Sequence, residues 1–123
     1  MRFSRIDHVA LESSDLERSI GFYETTFGFE KYAGNTTPGG IEIVYLRLGD
    51  TVLELVGRAP GQMKGFHFCL ETDDFDGAVA HLAQAGVGVV TKPHPTEARE
   101  TREQGWRRAV FEGPDGEHIE IRG

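Results

Sequence analysis

The sequence predicts an α+β fold in which one β-α-β-β-β module is used twice. Three observations carry that expectation: a repeat of roughly 60 residues running through the whole chain, strands of alternating polarity, and one capped amphipathic helix in each half. Ile6-Asp7-His8-Val9-Ala10-Leu11-Glu12-Ser13-Ser14-Asp15 aligns with Gly65-Phe66-His67-Phe68-Cys69-Leu70-Glu71-Thr72-Asp73-Asp74. His8 then meets His67, Leu11 meets Leu70, Glu12 meets Glu71 and Asp15 meets Asp74. Beyond these, Leu16, Ile20 and Tyr23 face Phe75, Val79 and Leu82, and a glycine closes each segment (Gly28, Gly86). The modules span residues 3–57 and 66–123 of a single domain, 1–123, too short for two independent cores.

In the first module, residues 3–12 alternate and read as a strand, with Val9 and Leu11 on one face and His8, Ala10 and Glu12 on the other. Ser14-Asp15-Leu16-Glu17 reads as a capping box, the serine accepting at the helix start and the glutamate reaching back. Leu16, Ile20, Tyr23 and Phe27 follow at helical spacing, and Gly28 ends the helix. Residues 29–34 read as a short strand and 35–40 as a turn. A hairpin of 41–48 and 51–56 turns about Gly49-Asp50.

Residues 57–65 have linker composition. The second module repeats the plan: a strand over 66–72, then a helix capped by Asp73 that turns Phe75, Val79 and Leu82 inward and stops at Gly86. A short strand covers 87–91. Residues 92–105 are polar, charged and proline-interrupted, the composition of a lid or binding loop. A hairpin of 106–112 and 117–122 closes the chain about Gly113-Pro114-Asp115-Gly116.

The net charge of −7 argues against a nucleic-acid partner, whose phosphates it would repel, yet an anionic small substrate is compatible with a metal or a local arginine cluster. One cysteine precludes an internal disulfide, and no apolar run approaches a membrane span. The N-terminus lacks the apolar core of a signal peptide. A soluble, cytoplasmic domain acting on a small molecule is expected.

Strand parity singles out four residues. Glu54 opposes Leu53 and Leu55, and Glu120 opposes Ile119 and Ile121, so helices over the Leu/Ile face leave both carboxylates, with His8 and His67, on the other face. A carboxylate between apolar strand neighbours is costly unless paired or metal-bound. Two imidazoles and two carboxylates suit a borderline divalent ion: nickel, zinc, cobalt, manganese or iron. His81, His94 and His118 read as surface residues, Asp7 and Asp50 as turn or strand-end residues, and Cys69 as a small residue lining the pocket beside His67.

These residues resemble the vicinal oxygen chelate superfamily (glyoxalase I, methylmalonyl-CoA epimerase, fosfomycin-resistance enzymes, extradiol dioxygenases and bleomycin-resistance proteins). The resemblance runs through Ile6-Asp7-His8-Val9-Ala10-Leu11, Asp15 to Tyr23 and Phe27-Gly28-Phe29, Leu53-Glu54-Leu55, Gly65-Phe66-His67-Phe68, and Gly113-Pro114-Asp115-Gly116-Glu117-His118-Ile119-Glu120-Ile121. It implies a cupped mixed sheet with helices on the convex face, a divalent metal held by His8, Glu54, His67 and Glu120, and a homodimer. Dioxygenases and fosfomycin enzymes typically leave the position of Glu54 without a ligand, and methylmalonyl-CoA epimerase commonly has glutamine there; the complete set resembles bacterial glyoxalase I.

The activity implied is a metal-dependent lyase or isomerase of the lactoylglutathione lyase type, working through a metal-bound enediolate. Glu120 is then the base and Glu54 its counterpart. Glutathione-using relatives tend to carry an arginine where this chain has Glu12, so the thiol is open. Arg47, Arg58, Lys64, Lys92, Arg107 and Arg108 are the alternative anchors, and parity turns one of Arg107 and Arg108 toward the cup. An acyl-CoA epimerase and a small-molecule sequestering protein of the bleomycin-resistance type are the alternative functions.

Overall fold

Alternating polarity, short turns and two capped helices produce the elements seen in a computed structural model, which describes residues 1–2, 4–63 and 65–123. Phe3, assigned to the first strand, and Lys64, one of the candidate anchors, lie outside the described residues. Backbone contacts divide the chain into two compact units, residues 1–62 and 63–123.

In the first unit β1 (Val9–Glu12), α1 (Leu16–Phe27), β2 (Glu30–Thr36), β3 (Glu42–Leu48) and β4 (Thr51–Val56) follow in order. The sheet order is β1-β4-β3-β2, with β1 parallel to β4 and the remaining pairs antiparallel. The second unit repeats this with β5 (His67–Glu71), α2 (Phe75–Gln84), β6 (Gly88–Pro95), β7 (Arg107–Glu112) and β8 (His118–Arg122), in the order β5-β8-β7-β6. Strand pairing among the described residues stays within each unit, giving two four-stranded mixed sheets, each with one helix. No helix among the described residues is long and apolar enough to cross a membrane.

The apolar parity of the strands builds the cores. Leu11, Leu46, Leu53 and Leu55 are buried with Tyr23 of α1 in the first unit; Phe111, Ile119 and Ile121 are buried in the second, as are Phe75 and Leu82 of α2. Each such side chain contributes about 1.5–3 kcal/mol over its exposed state. Gly57, just after β4, makes room for α1: a Cβ there would stand 2.8 Å from Leu16 Cδ1.

Several boundaries differ from the sequence expectation. β1 begins at Val9 rather than at the chain start, and Ile6 is 81% exposed, so a longer strand would bury nothing there. The helix caps fall one residue later than expected. Asp15, not Ser14, accepts from the Arg18 backbone N–H (3.1 Å), and Asp74, not Asp73, accepts from that of Gly77 (3.0 Å). Ser14 Oγ instead accepts from the Arg18 side chain at 3.1 Å.

β2 runs on to Thr36 and β6 to Pro95, through residues whose Gly, Asn and Pro content signals loop. Both are edge strands, where a missing N–H breaks no central ladder, and β6 takes its prolines with shifts of register between Val89 and Thr91 and between Thr91 and His94. The expected loop over 92–105 is thus partly strand, with a 3-10 turn at Thr101–Glu103.

Candidate functional site

In the first unit, parallel pairing of β1 with β4 sets Glu54 between Ala10 and Tyr45, on the face opposite Leu53 and Leu55. His8, one residue ahead of β1, places Nε2 2.8 Å from Glu54 Oε2. Its Nδ1 lies 3.0 Å from Asp7 Oδ2. The Asp7 hydrogen bond, with a further contribution from the Glu54 charge, raises the His8 pKa above its ordinary value; the same bond lowers that of Asp7. Asp7, expected as a strand-end residue, is therefore also the partner that orients the imidazole. Tyr45 meets the His8 ring edge-on at 6.4 Å and Tyr32 at 6.4 Å, while Arg47 caps Tyr32 at 4.0 Å.

The second unit repeats the pair. β5 runs parallel to β8, setting Glu120 between Cys69 and Val110, and His67 Nε2 lies 3.2 Å from Glu120 Oε2. The other oxygen, Oε1, accepts from Arg108 Nε at 2.9 Å. Parity thus divides the arginine pair. Arg108 points to the carboxylate face, whereas Arg107 bonds Asp76 at 2.9 Å and lies over the Phe75 ring on the helix side. Arg108 also donates to His94 Nε2 at 3.1 Å, drawing into the network a histidine expected at the surface. His118 is opposite His67 in the register and exposed.

A cavity of about 320 Å³ opens on this face, walled by His67, Cys69, Trp106 and Glu120 among others. Desolvation, then the Glu120 charge, pushes the Cys69 thiol up to about 11, so it lines the cavity as a neutral thiol.

Of the remaining described anchors, two have other partners. Arg58 is paired with Glu12, whose carboxyl is held below the usual range by that guanidinium and by the Gly61 N–H. Arg47 is stacked on Tyr32, and Lys92 is exposed on β6. Three residues escaped the sequence reading. Glu103 is fully buried and bound by Arg99, which donates from its backbone N (2.8 Å) and its side chain, and by Arg122 Nη2 at 3.4 Å. Arg99 pushes the Glu103 carboxyl down to about 2. Only the shared parity of Arg122 with Glu120 hinted at this cluster, because Glu103 sits in an aperiodic charged run.

The donor chemistry fits a divalent ion. An imidazole between two carboxylates, as His8 is, stabilises a positive charge at its ring, either a second proton or a cation in its place. Glu54 and Glu120 have side chains only 12% and 11% exposed; Arg108 already neutralises one oxygen of Glu120, a cation at the paired imidazoles would serve both, and N/O donors suit borderline metals. Each unit supplies one imidazole–carboxylate pair; neither, among its described residues, gathers three or more donors.

Comparison with known proteins places the chain in a family. Residues 5–121 match the model of the Glyoxalase/Bleomycin resistance protein/Dioxygenase superfamily. The uncharacterized protein YwbC of Bacillus subtilis is 32% identical over 125 residues, covering 95% of each chain. Human mitochondrial methylmalonyl-CoA epimerase is 32% identical over 92 residues; the match covers 63% of this chain and 52% of the epimerase, about half its length. Among solved structures, TnmS3, an antibiotic binding protein from Streptomyces sp. CB03234, superposes with a TM-score of 0.77 at 28% identity, covering 98% of this chain and 96% of that one. With a matching family model and a relative aligned over nearly its whole length, the chain belongs to the glyoxalase/bleomycin resistance/dioxygenase superfamily.

Proposed function

We propose that this protein is a divalent-metal-dependent lyase or isomerase of the glyoxalase I type, moving a proton at a carbon beside a carbonyl. The observation that carries the reading is the recurrence, in both units, of an imidazole Nε2 within 3.2 Å of a strand carboxylate. His8, Glu54, His67 and Glu120 are the proposed ligands. Nickel, zinc, cobalt, manganese or iron bound there would supply Lewis acidity at a substrate oxygen.

Glu120 is the proposed base. Arg108 engages its Oε1 and so fixes the direction of Oε2, which faces His67 Nε2 at 3.2 Å and is the oxygen proposed to take a proton. Glu54 is its counterpart, oriented by His8, which Asp7 holds in turn. Glu12 is committed to Arg58, which disfavours a glutathione grip at that position. Metal analysis of protein purified without chelator, followed by methylglyoxal turnover with several thiols, tests the reading. Stoichiometric divalent metal with turnover supports it; protein that takes up no metal overturns it.

A second reading, an acyl-CoA epimerase, is favoured by the similarity to methylmalonyl-CoA epimerase. It uses the same proton transfer, and deuterium exchange into methylmalonyl-CoA without methylglyoxal turnover would select it. We also propose a homodimer. Val89 and Val90 are 54% and 45% exposed on the edge strand β6, where pairing with a second copy would cover them. Light scattering measures this directly.

A further inference from the structure

We infer that His94 is a positioning residue for Glu120, acting through Arg108. The inference rests on the proposed function, in which Glu120 moves the proton, and adds to it a residue outside the donor set. Both ring nitrogens of His94 are engaged. Nδ1 lies 2.8 Å from the Pro95 carbonyl oxygen, which can only accept, so this nitrogen carries the proton. Nε2 lies 3.1 Å from Arg108 Nη1, which can only donate, so this nitrogen keeps its lone pair. The neutral ring protonated at Nδ1 is the one state that satisfies both contacts. In that state His94 holds the guanidinium by Nη1 while its Nε donates to Glu120 Oε1 at 2.9 Å. A planar fork gripped at two points has its orientation set, and with it that of the carboxylate it binds. The other carboxylate oxygen then meets His67 Nε2 at 3.2 Å.

The backbone brings the two side chains together. β6 and β7 are antiparallel, and the pairing of Thr91 with Val110, continued without a break, would set Pro93 opposite Arg108. A shift of register between Thr91 and His94 adds one residue to β6, so that His94 stands opposite Arg108 instead. Prolines on either side, Pro93 and Pro95, stiffen the backbone there, and Pro95 restricts His94 to an extended conformation. The first unit has no such link. The register that sets Tyr45 opposite Glu54 puts Ile43 at the place of Arg108 and Asn35 at that of His94. An isoleucine side chain donates nothing, so the link belongs to the carboxylate proposed as base and not to its counterpart.

Nitrogen NMR of the imidazole rings reads the contact without turnover. The full chain is stripped of metal by chelator and dialysis and held at a pH where the ring is neutral, and the His94 signals are assigned by their loss in His94→Gln. The Nδ1–H form is expected, with a bare Nε2 resonance that moves in Arg108→Met. In the nickel-loaded protein, His94→Leu should lower kcat for methylglyoxal with the best thiol by roughly two- to tenfold at unchanged KM, the worth of one hydrogen bond. His94→Gln, whose amide oxygen can accept from Arg108, should recover most of that loss. His94 is exposed on an edge strand, so neither variant threatens the fold. An Nε2–H ring, a bare nitrogen indifferent to Arg108→Met, full turnover in His94→Leu, a change confined to KM, or an equal loss in both variants overturns the proposal. The expected ring spectrum in protein that takes up no metal leaves the contact standing and sinks the functional reading instead.

Discussion

Glu54 and Glu120 occupy matching places on matching strands, each beside an imidazole, yet their surroundings differ. Glu54 sits across from Tyr45, with Tyr32 and Arg47 stacked beyond it. Glu120 sits across from Val110 and is bound by Arg108, next to a cavity edged by Arg99, Arg122 and Trp106. The interiors differ in the same sense. The first unit buries a neutral hydroxyl pair, Ser13 and Ser19, with Oγ atoms 2.6 Å apart, while the second buries Glu103, Glu120 and Arg122. What the two units share is the donor pair, and what separates them is polarity: one face is aromatic, the other carries arginine–carboxylate pairs.

The largest test of that division is catalytic. Glu120→Gln, with metal content verified, is expected to cut kcat by roughly 10²–10⁴-fold, and Glu54→Gln by less. Equal losses would mean that the two carboxylates share the proton, and full turnover in Glu120→Gln would remove it from the base role. Next in size is a packing comparison. Leu46 pairs across the hairpin with Leu53 as Phe111 does with Ile119, and both are fully buried. Leu46→Ala should cost about 2–5 kcal/mol and Phe111→Ala about 3–5 kcal/mol in urea denaturation. If one of the two leaves the transition midpoint unmoved, the units do not unfold cooperatively.

Much of this was legible in the sequence, and the reasons are physical. Period-two alternation with buried Leu and Ile fixed which face Glu54 and Glu120 would take, and the repeat tied each to a histidine. Edge strands were read too short because Gly, Asn and Pro signal loop wherever a ladder must be completed on both sides, and β2 and β6 complete only one. Glu103 was invisible for a different reason. Its burial depends on Arg99, its neighbour along the chain, and on Arg122 from another strand, and no local pattern encodes that meeting. Asp7 and His94 were missed as partners because their roles follow from where His8 and Arg108 point, which sequence neighbours do not reveal.

The buried charge makes acid a probe of the second unit. The Glu103 carboxyl is held near 2 against an ordinary 4.5, so its contribution to stability is fully present above about 4.5 and is lost as the pH falls toward about 2. Glu103→Gln should lower Tm by several degrees at neutral pH, with the gap to the parent protein closing as the pH falls through that window. A gap independent of pH would mean that the side chain acts through packing alone.

The smallest effects concern the helix starts, where both units displace the cap by one residue. An aspartate carboxylate at the N-cap satisfies an N–H that would otherwise be orphaned, and Asp15 and Asp74 do this for Arg18 and Gly77. Asp15→Ala and Asp74→Ala should each cost about 1 kcal/mol, whereas Asp73→Ala should lie within about 0.5 kcal/mol of the parent protein. Ser14→Ala removes an acceptor for the exposed Arg18 side chain and is expected to cost less than Asp15→Ala. Urea midpoints for the four variants decide the matter. Were Ser14→Ala as costly as Asp15→Ala, the first helix would start a residue earlier in solution, and the two units would no longer begin their helices alike.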